Sequence, residues 1–169
     1  NRISLKPESV KVLVQNGHQV IVEASAGNSA NYADTNYSEV GAQIVYDRKT
    51  VFASNVILKV EPPSIEEIGI ISSGATLISA LQPANQSIEY LKALQEKKII
   101  GLAYEVIEDK VGGLPIVRSM SEIAGSSVML SAAELLSKTN SGLGVVLGGV
   151  TGVPPTKVVI IGAGTVAEY

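Results

Sequence analysis

Residue types that could do chemistry gather at three places in this chain. The last stretch, Val158-Val159-Ile160-Ile161-Gly162-Ala163-Gly164-Thr165-Val166-Ala167, runs an apolar, strand-like segment straight into Gly-x-Gly-x-x-Ala. That order suits a dinucleotide pyrophosphate. The first glycine allows a tight turn, the second lets the backbone approach the phosphates, and the small third residue lets a helix pack close to the strand. The acidic residue expected about twenty positions later falls past Tyr169, so an ordinary strand-to-helix turn remains open beside the nucleotide site. Lys59 is the second place. It lies near the carboxyl end of the apolar run Asn55 to Val60, just ahead of Glu61-Pro62-Pro63. Ligands of open α/β sheets collect at that end of the strands. A lysine there can hold a substrate carboxylate or shift its own proton affinity through partial burial, or it can simply reach solvent. The third place is the loop Gln82-Pro83-Ala84-Asn85, again at the carboxyl end of an apolar run. The single histidine, His18, has no partner residue near it in sequence and reads as structural or solvated.

The elements that must position these residues follow from pattern. Apolar residues at Val10, Leu13 and Val14, with Pro7 near the first turn and Gly17 at the close, predict a helix. Strands are expected at Gln19–Glu23, Gln43–Tyr46, Asn55–Val60, Thr76–Leu81 and Ile99–Glu105, with helices at Thr35–Val40, Arg48–Ser54 and Gln86–Lys98 between them. Ser64, with Glu66 and Glu67 behind it, predicts one more helix start. In the Gln86–Lys98 helix, Ile88, Leu91 and Leu94 form the expected buried face. Alternation of strand and helix at this spacing predicts parallel βαβ crossovers, a Rossmann-like or flavodoxin-like α/β sheet. Glu108 to Gly113 reads as a surface turn. Ser119 and Glu122 fit a capping box opening the longest helix, which reaches about Ser137. The small residues Ala124-Gly125-Ser126-Ser127 in its middle would let another element pack closely. A Gly/Pro segment, Val145 to Pro155, then leads to the final strand. The boundary between a first α/β domain and a nucleotide domain is expected near Ser119: residues 1–118, a connecting helix and linker at 119–156, and the truncated start of a nucleotide-binding domain at 157–169.

Composition narrows the classes. The chain has 169 residues, 46% hydrophobic and 17% charged, with a formal net charge of −3. That balance argues against a nucleic-acid binder, which would usually carry a basic stripe. With no cysteine there is no disulfide framework, thiol nucleophile or Cys-ligated metal site, which suits a cytoplasmic protein; no metal site is expected. No uninterrupted apolar run approaches the ~18 residues of a membrane span, and Asn1-Arg2-Ile3-Ser4-Leu5-Lys6 is not a signal peptide. The chain starts without Met and stops inside a nucleotide-binding element, so it reads as part of a longer protein.

Several separate stretches agree, in order, with one family. Arg2-Ile3-Ser4-Leu5-Lys6-Pro7 resembles the Arg-Val-Ala-Leu-x-Pro opening of the alanine dehydrogenase and nicotinamide nucleotide transhydrogenase family. Val56-Ile57-Leu58-Lys59-Val60-Glu61-Pro62 resembles its Leu-Val-x-Lys-Val-x-x-Pro strand. Ala103-Tyr104-Glu105, Met120 to Gly125, and Leu147 to Ile160 resemble the same family. The resemblance covers essentially the whole chain, and its motifs are specific as a set. It implies a substrate domain followed by a Rossmann domain, often assembled as a homo-oligomer (hexamer or dimer). It also implies reversible NAD-dependent oxidative deamination of L-alanine to pyruvate and ammonia. Carried over, Arg2 would hold the substrate carboxylate through a bidentate fork, and Lys59 would bind the substrate and orient its carbonyl or imine. Met120 and Ser121 would line the substrate and nicotinamide cleft, and Gly162 and Gly164 would receive the pyrophosphate.

One position departs from the pattern. Alanine dehydrogenases carry a catalytic His within Tyr-Leu-His-Leu-Ala, whereas this chain reads Ala80-Leu81-Gln82-Pro83-Ala84. Gln82 can donate a hydrogen bond to a carbonyl but cannot titrate near neutral pH. Proton transfer then falls to Lys59 and a carboxylate past Tyr169, or the substrate is not alanine. The change moves the loop towards the transhydrogenase branch, the nucleotide-binding module of a membrane proton pump. Two features favour the dehydrogenase: Arg118-Ser119-Met120-Ser121-Glu122 in place of an Arg-Ala-Gln-Ser-Met-Asp type loop, and the run Gly148-Gly149-Val150. A third reading is an α/β interaction fragment without chemistry of its own. The 169 residues alone are expected to be inactive, lacking most of the cofactor site.

Overall fold

The computed structural model describes residues 2–169. The chain forms two compact units that divide between Val106 and Ile107, while the sequence pattern puts the domain boundary near Ser119.

In the first unit the expected alternation is present: α1 (Pro7–Gln15), β1 (Ile21–Glu23), α2 (Asp34–Ser38), β2 (Gln43–Val45), α3 (Arg48–Phe52), β3 (Val56–Leu58), α4 (Ile65–Ile70), β4 (Thr76–Ser79), α5 (Ile88–Glu96) and β5 (Ile100–Ala103). The strands are shorter than their apolar runs. Strands β1 and β2 pair in parallel with Ile21 opposite Gln43. Strands β3, β4 and β5 form a second parallel sheet in sequence order, with Ile57 opposite Leu77 and Leu77 opposite Gly101. The fold class is therefore α/β with parallel sheets, as the alternation predicts.

Each sheet has its own core. Phe52, Ile57, Ile71, Ala75, Leu77 and Leu81 are buried together under the three-stranded sheet, with Leu94 and Ile99 against them. Val10, Tyr37 and Ala42 form the centre of the other, backed by Leu5, Val14, Val22 and Ile44. Helix starts are fixed locally. Asp47 accepts hydrogen bonds from the Lys49 and Thr50 N–H groups. Ser64 and Glu67 make a reciprocal capping box, Ser64 N–H to Glu67 Oε2 at 2.8 Å and Glu67 N–H to Ser64 Oγ at 3.1 Å. In α5 the predicted inward face is rotated. Ile88 is 66% exposed and Leu91 41%, whereas Tyr90 is 6% exposed. Leu94 packs against the core of the three-stranded sheet as expected, and Tyr90, four positions before it on the same helix face, takes the buried place expected of Ile88 and Leu91.

The second unit holds the longest helix, α6 (Pro115–Leu136), and a single closing turn, α7 (Thr165–Glu168). The expected capping box at Ser119 does not form. The helix opens one turn earlier because Pro115 has the φ of a first helical residue and no N–H to leave unpaired. Ser119 instead donates its hydroxyl to the Pro115 carbonyl at 3.0 Å, and Glu122 pairs with Arg118 at 2.9 Å. The small residues in the middle of α6 do admit a neighbour: a β-carbon on Gly125 would lie 2.6 Å from the Val166 carbonyl oxygen. The strand expected over Val158–Ile161 is absent. Those residues are exposed, Ile161 at 97%, because a strand exists only through ladder partners and no described segment pairs with it.

Leu77, fully buried at the centre of the three-stranded sheet, and Leu102, 47% exposed one strand away, give a direct test of this core. Leu77→Ala should cost roughly 2–5 kcal/mol in urea unfolding, and Leu102→Ala under ~1 kcal/mol. Equal losses would mean the sheet's buried face is misassigned.

Candidate functional site

Parallel pairing sends β3, β4 and β5 out of the sheet on the same side, so the segments after them are neighbours. After β3, the Lys59 N–H still donates to the Ile78 carbonyl at 3.0 Å, and the Ala80 N–H donates to the Val60 carbonyl at 3.3 Å. The same Val60 carbonyl accepts the Tyr104 hydroxyl at 2.5 Å. The chain then turns at Glu61-Pro62-Pro63, where Pro63 is fully buried. Lys59, Val60 and Glu61 form one wall of an open depression of about 450 Å³ whose other lining residues are Arg2 and Ser29.

Two segments from the other half of this unit complete that wall, and Tyr37 holds both. Its hydroxyl donates to the Leu5 carbonyl at 3.0 Å, fixing the N-terminal segment that carries Arg2. Its ring leaves no room for a side chain at Gly27, where a β-carbon would lie 2.8 Å from the ring and 2.5 Å from the Tyr32 carbonyl oxygen. Gly27 opens the short 3-10 turn Asn28–Ala30 that presents Ser29. A further bond, from the Ser25 N–H to Asp34 Oδ1 at 2.7 Å, closes this loop.

The depression therefore carries two cations, one carboxylate and one hydroxyl. The guanidinium of Arg2 has the fork geometry that suits a carboxylate, and the Lys59 ammonium is a point charge suited to polarise a neighbouring carbonyl oxygen. Lys59 faces Glu67 across 3.5 Å, its side chain 30% exposed and that of Glu67 14%. Around Tyr104, burial raises the hydroxyl's pKa, the Arg2 charge opposes that rise, and Glu105 and Glu61 add to it. The phenol is thus the neutral donor its bond to Val60 requires.

Gln82 lies at the exit of β4 but is not among the residues lining the depression. It is exposed and left-handed, with φ of +42°, a conformation that costs a non-glycine residue about 1–2 kcal/mol. A charge-assisted bond offsets this, the Gln82 N–H donating to Glu105 Oε1 at 2.6 Å. The Gln82 amide oxygen accepts from Asn85 Nδ2 at 3.3 Å, so the side chain folds back on its own turn. The other Glu105 oxygen is buried without a partner. His18 is exposed in the turn after α1, its N–H bonded to the Leu13 carbonyl.

The structure brings Arg2 and Lys59 together in one depression and puts Gln82 at a neighbouring strand exit. Met120 and Ser121 belong to the second unit, in the first half of α6 and partly buried. Gly162 and Gly164 lie in the same unit, in the extended segment before α7. Gly162 has φ of +115°, which favours glycine, and nothing stands within 4 Å of a β-carbon at either position. Sequence reasoning passed over Ser29, the hold of Tyr104 on Val60 and the pairing of Glu67 with Lys59. Its only signals were Ala103-Tyr104-Glu105 as a motif and Glu67 as a capping residue.

Comparison with known proteins gives the family and the fold. The family model "Alanine dehydrogenase/PNT, N-terminal domain" matches residues 1–124, and "Alanine dehydrogenase/PNT, C-terminal domain" matches residues 128–168. Alanine dehydrogenase 2 of Staphylococcus aureus is 40% identical over 164 residues, covering 97% of this chain and 44% of that protein. The alanine dehydrogenase of Staphylococcus saprophyticus is 41% identical with the same coverage. Among solved structures, an L-alanine dehydrogenase superposes with a TM-score of 0.91 at 36% identity, covering 99% of this chain and 46% of that one. A transhydrogenase from Sinorhizobium meliloti superposes at 0.71 and 30% identity, covering 79% and 40%. The chain spans less than half the length of these relatives.

Tyr104→Phe tests the strut beneath Lys59. Loss of the hydroxyl should cost about 1 kcal/mol near neutral pH in urea unfolding. The raised folded-state pKa of Tyr104 adds stability that is complete below the unfolded value of about 10 and is lost as pH climbs through the folded one. The variant should therefore lose stability less steeply above pH ~10, although Tyr37 and Tyr90, also raised by burial, keep their share. An unchanged alkaline slope by circular dichroism would contradict this.

Proposed function

The chain belongs to the alanine dehydrogenase/PNT family, and on that premise we propose that the full-length protein is an NAD-dependent oxidoreductase converting L-alanine reversibly to pyruvate and ammonia. The observation that carries this reading is the shared depression of Arg2 and Lys59 at the carboxyl edge of the parallel sheet. The names of the S. aureus and S. saprophyticus relatives support it.

In this reading the Arg2 fork binds the substrate carboxylate, and Lys59 orients the carbonyl in one direction of reaction and the amino-bearing carbon in the other. Holding those groups in line supplies several kcal/mol of barrier reduction, on the order of a well-oriented intramolecular reaction. Gln82 can contribute a hydrogen bond from its amide but no proton. Proton transfer is therefore assigned to Lys59 together with a carboxylate outside these residues. Bound NAD supplies the hydride acceptor. Gly162 and Gly164 fit its pyrophosphate, because the left-handed turn and the open space beside both glycines let backbone N–H groups approach phosphate oxygens. Met120 and Ser121 are assigned to the substrate and nicotinamide sides respectively. Assembly as a hexamer or dimer and a cytoplasmic location belong to the same reading. Among the described residues, no helix is long and apolar enough to cross a membrane.

A second reading is favoured by Gln82-Pro83-Ala84 and by the transhydrogenase likeness: the nucleotide-binding subunit of a proton-translocating NAD(P) transhydrogenase. NADH oxidation by the full-length protein with pyruvate and ammonium separates the two. Turnover is expected, and Lys59→Ala should lower kcat/KM at least about 100-fold with NAD binding intact. Unchanged turnover in that variant would sink the role of Lys59. Silence with every 2-oxo acid, alongside intact nucleotide binding, would favour the transhydrogenase.

A further inference from the structure

Lys59 carries its charge on a flexible four-carbon stem and lines the same depression as a second cation, Arg2. Two cations at one small site repel each other, and a lysine without a fixed partner samples many rotamers. An anion fixed beside the ammonium opposes both effects. The structure assigns that task to Glu67, as a positioning residue acting through Lys59; the inference rests on the substrate role proposed for Lys59.

The carboxylate of Glu67 is fixed from several directions. Its Oε2 accepts the Ser64 N–H at 2.8 Å, so the helix cap sets its orientation, and the same oxygen faces Lys59 Nζ at 3.5 Å. Its Oε1 faces Arg48 Nη1 at 3.5 Å, and Arg48 Nε in turn bonds Glu23 Oε1 on β1 at 3.2 Å. The Glu67 side chain is only 14% exposed. Its helix is pinned by Ile68, 1% exposed, and the turn between Lys59 and Ser64 is stiffened by two prolines, one fully buried. A rigid anion therefore stands eight positions beyond Lys59 in sequence and beside it in space. It offsets the repulsion between Lys59 and Arg2 and restricts where the ammonium can sit. Arg48 is already shared with Glu23, so Lys59 is not in competition with an otherwise unpaired cation.

Glu67→Gln in the full-length protein separates this role from capping, because the amide oxygen can still accept the Ser64 N–H. The KM for pyruvate should rise about fivefold, the scale of one partly exposed charge pair, with the KM for NADH unchanged; loss of the second pair, to Arg48, falls on stability and not on the pyruvate KM. In a Lys59→Gln background the same substitution should leave the pyruvate KM where it was, since the group it positions is gone. Independently of turnover, trace acylation with acetic anhydride, read by peptide mass spectrometry against Lys92, should label Lys59 faster in Glu67→Gln than in the wild type. An unmoved pyruvate KM overturns the inference, as does an equal rise in the Lys59→Gln background. Wild-type protein that turns over no 2-oxo acid would overturn the functional reading instead. The acylation ratio then decides the hold of Glu67 on Lys59: faster labelling supports it, and an unchanged rate overturns it.

Discussion

The strand exits beside the depression depend on one constraint: in a parallel sheet every strand leaves from the same edge. Strands β3, β4 and β5 deliver Lys59, Gln82 and the Tyr104-Glu105 pair to that edge together, although these residues are far apart in the chain. Hydrogen bonds then tie the three exits to one another. The Val60 carbonyl takes both the Ala80 N–H and the Tyr104 hydroxyl, and Glu105 takes the Gln82 N–H. Without these ties the exits would be independent loops, with the conformational freedom that unpaired backbone retains.

Tyrosine does much of the anchoring in a chain with few aromatic residues. It has six tyrosines, one phenylalanine and no tryptophan. Tyr37, buried, and Tyr104, half-buried, each combine an apolar ring with a hydroxyl that reaches a backbone carbonyl, the use for which an amphipathic ring is suited. Tyr37 fixes the segment bearing Arg2 and shapes the turn bearing Ser29. Tyr104 supports the residue after Lys59. Tyr90 differs: its hydroxyl is buried without a partner, and burial followed by the nearby Glu67 charge raises its pKa. Its side chain is buried on the inner face of α5, and its oxygen is carried along at a cost.

The second unit shows the reverse situation, a strong local strand preference with no pairing segment among the described residues. Val158-Val159-Ile160-Ile161 has every residue preference of a strand, yet these residues stay unpaired and exposed. Alpha-helical structure survives there because its hydrogen bonds lie within one segment: α6 runs 22 residues and α7 closes on it at Gly125. Helix propensity is local, whereas strand formation is a property of at least two segments.

The α/β class, the order of the elements, the cap at Ser64 and the place of Lys59 at a strand's carboxyl end were legible in sequence, because hydrophobic period, turn residues and strand ends are written in neighbouring positions. The same local reading erred where two local signals competed, as at Ser119 against Pro115. On the inward face of α5 it was right for Leu94 and erred for Ile88 and Leu91, whose place Tyr90 takes. Gly162 and Gly164 were legible as a motif, and the structure adds the left-handed turn and the open space beside them. Tertiary structure alone decided that Arg2 and Ser29 share a depression with Lys59. It alone turned Gln82 back on its own loop, and it set Glu67, outwardly a capping residue, against the Lys59 ammonium. Those facts depend on contacts between segments distant in sequence. Such contacts arise only once parallel pairing and the packing of Tyr37 and Tyr104 have fixed where each strand's exit lies.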